Sequence, residues 1–237
     1  MQIHPVTQDD LRELSAFTRR IDGAMNHLCS LTDQDTPFFA PVDEWGHRDL
    51  PGYLPWMGAR YQFAGRDVPK SIFRGEGIAL FLLMRMLRPE IAVECYTGTG
   101  YASAWMAAGS PTSMLYTVDN YSEGGIGSEG HFRARRLLYD LSLSNAILLQ
   151  GTAEELHTPL WGHQPSVYFS DGPLVNPIDL APDVVVIRHD NLDGQAVGRS
   201  FGIRGGSNMS VMCPSVDERN ELMIVMARYF PVERCDA

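Results

Sequence analysis

The rhythm of apolar and polar residues along the 237-residue chain changes near residue 70. Residues 7–31 place Leu11, Leu14, Phe17, Ile21 and Leu28 at helical spacings, behind Thr7 as N-cap and Asp9 and Asp10 in the first turn. Spacing, cap and charge together predict a helix. Residues 32–70 follow neither a 3.6-residue nor a two-residue period. They are rich in Pro, Gly and aromatic residues, among them Phe38, Phe39, Trp45, Tyr53, Trp56, Tyr61 and Phe63. Disordered chains lack such apolar area, and a loop this long is usually a functional lid or a linker. Residues 1–70 are therefore expected to form an N-terminal helix and an aromatic-rich cap over a domain spanning 71–237.

From Ser71 the pattern is regular. SIFRGEGIALFLLMRMLRPE reads as a helix, with Ser71 as N-cap, Arg85 and Arg88 in the last turn and Pro89 as the stop. Short apolar runs follow at 91–95, 114–119, 146–151, 166–171 and 183–190, each ending in small or acidic residues. YASAWMAAG and HFRARRLLYDLSL fill the first two gaps as helices, while PLVNPIDLAP has room only for a loop or a single turn. VDERNELMIVMARYF reads as a late helix, and NMSVMC and PVERCDA as weak final strands. Buried strands alternating with helices predict an α/β fold with a mostly parallel central sheet and helices on both faces.

Composition narrows the partners. The hydrophobic fraction of 44% suits a globule with a real core, and no apolar run reaches membrane-spanning length. The N-terminus has acids where a secretory leader would have a basic and then an apolar region, so the expected location is cytoplasmic. A net charge of -10 argues against nucleic acid. The basic cluster RARR at 133–136 is expected to be a solvated helix face. Cys29, Cys95, Cys213 and Cys235 are scattered without zinc or disulfide spacing and are expected to be free thiols.

The chemistry gathers at the predicted strand ends, where open parallel sheets bind ligands. VECYTGTGYASAWM (93–106) stops a strand on Glu94, turns through Gly98 and Gly100, and restarts as a helix. A glycine turn lets a ligand approach the backbone, and the helix N-terminus favours an anion. Asp119, at the end of the next strand, is placed to accept from both hydroxyls of a ribose. Turn and acid together point to a nucleoside-containing cofactor, without the full G-x-G-x-x-G of the dinucleotide folds.

VEC–TGTGY, VD at the second strand end and GTAEEL after the third resemble a class I S-adenosylmethionine-dependent methyltransferase with a Rossmann-like fold. The likeness covers roughly residues 71–195, and Glu94 with TGY is similar to the catechol and caffeoyl-CoA type of O-methyltransferase. It extends less specifically to the macrocin type. The resemblance implies that the turn from Glu94 through Tyr96, Gly98, Gly100 and Tyr101 meets the methionine end of the cofactor. Asp119 would hold the ribose, and Gly151, Thr152 and Ala153 would lie by the adenine. The chain departs from the pattern at Tyr96, where such families have Gly: either Gly98 takes that role or Tyr96 lines the pocket.

A second constellation lies at the next strand ends: Asp171 in SDG, and His189, Asp190 and Asn191 in HDN. Two carboxylates and an amide oxygen suit Mg²⁺. The resemblance implies the same trio, Asp171, Asp190 and Asn191, as metal ligands, which would acidify and orient an acceptor hydroxyl. Asp171 is also expected at the cofactor and in catalysis. The family's lysine, three residues after the first metal acid, is replaced by Leu174, and Lys70 is far away. His189 is thus the expected general base, with His131 behind it. The expected activity is methyl transfer to a hydroxyl of a small molecule, such as a natural product, assisted by Mg²⁺, with a homodimer left open. Three alternatives stand beside it: a metal-independent methyltransferase, an NAD-dependent oxidoreductase, and a catalytically silent nucleoside-cofactor-binding protein.

Overall fold

The structure is a computed structural model that describes residues 2–30, 39–40, 60–63, 66–67, 72, 74–121, 127–152, 165–171, 183–189, 199–203 and 209–234. The first helix, α1 (Gln8–Ser30), opens with the predicted cap. Thr7 Oγ1 accepts from the Asp10 N–H at 3.2 Å, and Asp10 Oδ2 accepts from the Thr7 N–H at 2.8 Å. Two of the donors orphaned at a helix start are thereby satisfied. Its apolar stripe, with Leu14, Phe17, Ile21 and Leu28 all buried, packs into the main core. The non-periodic stretch contributes three short strands, β1 (Phe39–Ala40), β2 (Arg60–Phe63) and β3 (Arg66–Asp67), paired antiparallel in that order.

Helix α2 (Arg74–Leu87) is buried without a break from Glu76 to Met84. A helix apolar all round must be covered on every side. Here α1 lies against one side and α3 (Tyr101–Gly109) against another. Gly77 is where α2 and α3 meet most closely, since a Cβ there would collide with the Trp105 indole. The core strands are β4 (Ile91–Cys95), β5 (Met114–Asp119), β6 (Ala146–Gln150), β7 (Val167–Ser170) and β8 (Val185–Arg188). After them come β9 (Ser200–Ile203), β10 (Met209–Met212), α5 (Val216–Met226) and β11 (Val232–Arg234), with α4 (Gly127–Asp140) between β5 and β6.

These strands form one eight-stranded sheet in the order β11-β9-β10-β8-β7-β4-β5-β6. The five strands from β8 to the β6 edge are parallel, and β10 and β11 run antiparallel to their neighbours. This is a Rossmann-like α/β sheet. Strand order reverses between β4 and β7, so the crevice at their carboxyl ends is the topological switch point.

Alternation along the strands fixes which side chains can meet there. On β4, β5, β7 and β8, Ala92, Leu115, Val167, Phe169, Val185 and Ile187 face the helix-packed core. Val93, Cys95, Val118, Tyr168 and Val186 face a second, smaller cluster on the other side. By the two-residue period, Glu94, Thr117 and His189 belong to the first set. Cys95 and Cys213 are buried and form no disulfide among the described residues, and the Cys95 Sγ accepts from the Tyr168 hydroxyl at 3.0 Å. The RARR segment turns partly inward: Arg133 is buried and Arg136 bonds Asp140 at 2.9 Å, which leaves Arg135 as its exposed member. Among the described residues no helix is long and apolar enough to cross a membrane.

Candidate functional site

The turn after β4 is held in shape by β5. The Tyr96 and Thr97 N–H groups donate to the Val118 carbonyl at 2.9 and 3.3 Å, and the Gly98 N–H donates to Asp119 Oδ2 at 2.9 Å. Tyr96, Gly98 and Gly100 have φ of 69°, 54° and 78°. Every second residue of the turn is therefore in the left-handed region, which suits glycine and costs other residues roughly 1–2 kcal/mol. Tyr96 takes that conformation without being glycine, as Gly98 does two residues on, and it also packs against the smaller cluster. At Gly100 there is a second demand for glycine, since a Cβ would lie 2.9 Å from the Ala134 backbone.

Below the turn, Glu94 is completely buried and accepts from the Ser103 hydroxyl. Thr117, its register partner on β5, joins Ser103 at 3.3 Å and Thr97 at 2.5 Å. Burial pushes the Glu94 carboxyl up to about 8 against these hydrogen bonds, with Asp171 and Asp119 pushing the same way, so it carries a proton at neutral pH. Its Oε1 is buried and meets no hydrogen-bond partner among the described residues. Asp119 accepts from the Gly98 N–H on one oxygen and from the Tyr121 N–H, at 3.0 Å, on the other. Each oxygen keeps a second lone pair for a ligand. Gly151 is tied to the same corner, its N–H donating to the Asp119 carbonyl at 3.0 Å. Thr152 follows on the surface, and Ala153 lies outside the described residues. The Tyr101 side chain is fully buried with its ring edge-on to Trp105, and so serves the core.

The second corner is built by α2, β7 and β8. His189, just past β8, is buried between two acids: Nδ1 lies 2.5 Å from Asp171 Oδ1, and Nε2 lies 3.1 Å from Glu76 Oε2. Glu76 comes from the first turn of α2 and is itself completely buried. Burial alone would push the imidazole down, but the two carboxylates outweigh it and lift its pKa to about 10. His131, the second candidate base, sits on α4 with its ring 5.0 Å from that of Tyr121. Asp190 and Asn191, the other expected metal ligands, lie outside the described residues, as do Lys70 and Leu174. Among the described residues no group of three or more His, Cys, Asp or Glu side chains is arranged to hold a metal ion.

Ser103, Thr117 and Glu76 were not expected from the sequence. Thr117 had a signal, since it shares the strand parity and register of Glu94. Glu76 had another: with Leu80, Leu83 and Leu87 it lies on one helix face, at spacings of four, three and four.

No family model matches the chain, and no curated protein matches it. Solved structures do share its outline. A methyltransferase from Geobacter sulfurreducens is 22% identical with a TM-score of 0.47, over 61% of this chain and 79% of that one. An O-methyltransferase from Bacillus cereus, solved in complex with SAH, is 17% identical at 0.47, over 60% and 81%. TomG from Streptomyces achromogenes, an O-methyltransferase involved in tomaymycin synthesis and solved with SAM, is 16% identical at 0.44, over 60% and 81%. Likenesses this distant carry nothing about ligand or reaction; strand order defines the fold, and the side chains define the site.

Proposed function

We propose that the protein is an S-adenosylmethionine-dependent methyltransferase acting on a hydroxyl of a small molecule. The observation that carries this reading is the coupling of the left-handed turn at 96–100 to Asp119 across the switch point, with the open acceptor of Glu94 beneath it. The two ends of that arrangement ask for different chemistry. Asp119 has lone pairs for the hydroxyls of a ribose. Glu94 has an unused, buried oxygen suited to a cationic group such as an α-ammonium, and ionising it there would satisfy both partners. One ligand carrying a ribose and an amino-acid end fits both, and a dinucleotide lacks the ammonium.

When bound, S-adenosylmethionine supplies a methyl group on a sulfonium, which is electrophilic enough to need only an in-line oxygen nucleophile. The chain's part is positional. The turn fixes the ligand against β4, Asp119 fixes its sugar, and Asp171 stands beside this site at the end of β7, held by its own N–H on the Cys95 carbonyl at 3.3 Å. The net charge of -10 keeps the reading with small acceptors and away from nucleic acid.

Calorimetric titration with S-adenosylhomocysteine tests it, with NAD as competitor. The expected outcome is one site of micromolar affinity that NAD does not displace, weakened about tenfold or more in Asp119→Ala. Displacement by NAD would transfer the site to an oxidoreductase. An unchanged affinity in Asp119→Ala would remove the ribose assignment.

A further inference from the structure

Arg188 is the last residue of β8, and by the two-residue period it shares the face of Val186, over the smaller cluster. It is half-buried, and its Nε is shut off from solvent with no hydrogen-bond partner among the described residues. No carboxylate among them pairs with it, in contrast to Arg74 on Asp22, Arg85 on Glu13 and Arg136 on Asp140. An exposed arginine can leave its donors to water, but a buried N–H without a partner costs free energy. In a chain with 29 acidic and 19 basic residues, such a cation asks for an anion from outside the protein. We infer that Arg188 anchors a carboxylate carried by the acceptor, so that the substrate is a small hydroxy acid. Calling that ligand the acceptor rests on the methyltransferase reading; the anion site at Arg188 does not.

The row of residues around Arg188 suits that role. In register with it lie Ser170 of β7 on one side and Ser210 of β10 on the other, and Gly202 of β9 follows Ser210. None of the three is bulky, and none carries a charge that would compete for the guanidinium. Past Ser170 the row reaches Cys95, the residue before the left-handed Tyr96. Strand β8 is two places from β4, about 10 Å at the usual strand spacing. A one-ring acid held at Arg188 therefore extends along the strand ends toward the turn, where Tyr96 offers an aromatic neighbour. The guanidinium takes a carboxylate on two parallel N–H groups, which fixes the ligand's angle as well as its place. One cation matches one negative charge. A phosphate dianion would bring a surplus charge into a protein already at -10, so the carboxylate is the better match.

The ¹H–¹⁵N resonance of the Arg188 Nε in the full chain reports on the site, with and without S-adenosylhomocysteine. Three probes are titrated: 4-hydroxybenzoate, its uncharged isostere 4-hydroxybenzamide, and inorganic phosphate. The acid is expected to move the resonance saturably, and the amide to bind at least about tenfold more weakly. Arg188→Lys keeps the charge and loses the planar fork, and it is expected to bind the acid about tenfold more weakly than wild type. No saturable shift with the acid, or equal affinity for acid and amide, would overturn the inference. Phosphate bound more tightly than the acid would overturn the carboxylate assignment. The comparison of acid with amide uses wild type alone, so it decides even where Arg188→Lys fails to fold. Absence of S-adenosylhomocysteine binding counts against the methyltransferase reading, and the acid-to-amide ratio still judges Arg188.

Discussion

The two corners of the crevice each bury acids, and they neutralise them in opposite ways. Under the glycine turn, Glu94 has two hydroxyl-bearing neighbours and, among the described residues, no cation, so burial leaves it holding its own proton. At the β7–β8 corner, Glu76 is just as deeply buried, yet it and Asp171 meet an imidazole that takes the positive charge. Depth does not decide the charge state of a buried acid; the partner within hydrogen-bonding reach does. The difference suits the two roles. A neutral acid with an unused oxygen can receive a ligand's cation, while the acids of the other corner already face a cationic side chain.

The contrast breaks most visibly at His189. His189→Ala leaves two buried carboxylates with no cation between them, and urea unfolding is expected to show a loss of about 3–5 kcal/mol. A loss well below 1 kcal/mol would mean that the acids are not charged against the ring. Next in size is the turn that roofs Glu94. Gly100→Ala combines a left-handed backbone with a Cβ pressed on the Ala134 backbone, and should cost about 2–4 kcal/mol in the same measurement.

The smallest effect is the most diagnostic. Glu94→Gln should change stability by about 1 kcal/mol or less at the acid end of the range, because it replaces a neutral group by a neutral group. At higher pH the two proteins should diverge. A carboxyl raised from 4.5 to about 8 in the folded state contributes stability that is whole below 4.5 and is lost as pH rises through 8. Thermal unfolding followed over that window should therefore fall in wild type relative to Glu94→Gln. His189 gives a loss displaced to higher pH: its value, raised from 6.5 to about 10, makes its contribution whole below 6.5 and lost through 10. Identical pH profiles for wild type and Glu94→Gln would show that Glu94 is already ionised.

Much of the first corner was legible in the sequence, and much less of the second. The apolar runs 91–95 and 114–119 and the helix YASAWMAAG match β4, β5 and α3 residue for residue, because buried strands that end in acids and a glycine turn leave sharp boundaries. Asp119 follows from strand length alone. Three kinds of element escaped. Strands β1 and β3 have two residues each, too short to show a period, and β9 carries Gly202 in its middle, which breaks the apolar run. Arg133 was expected on a solvated face and is buried, since charge clustering says nothing about which side of α4 meets the core. The pairing of Glu76 with His189 joins residues more than a hundred positions apart, and no local pattern records such a contact. The histidine stood out as a candidate by its place at a strand end. Whether it accepts a proton or holds one depends on the acid opposite, which only the fold supplies.

One spectrum tests the contrast and the proposed ligand together: the side-chain carboxyl ¹³C resonance of Glu94, followed through a pH titration of the free and the S-adenosylhomocysteine-bound protein. The expected result is a carboxyl that titrates near 8 when free and is ionised at neutral pH once the ligand's ammonium is in place. A Glu94 already ionised well below neutral pH, and unmoved by the ligand, would contradict both the neutral acid and the site built upon it.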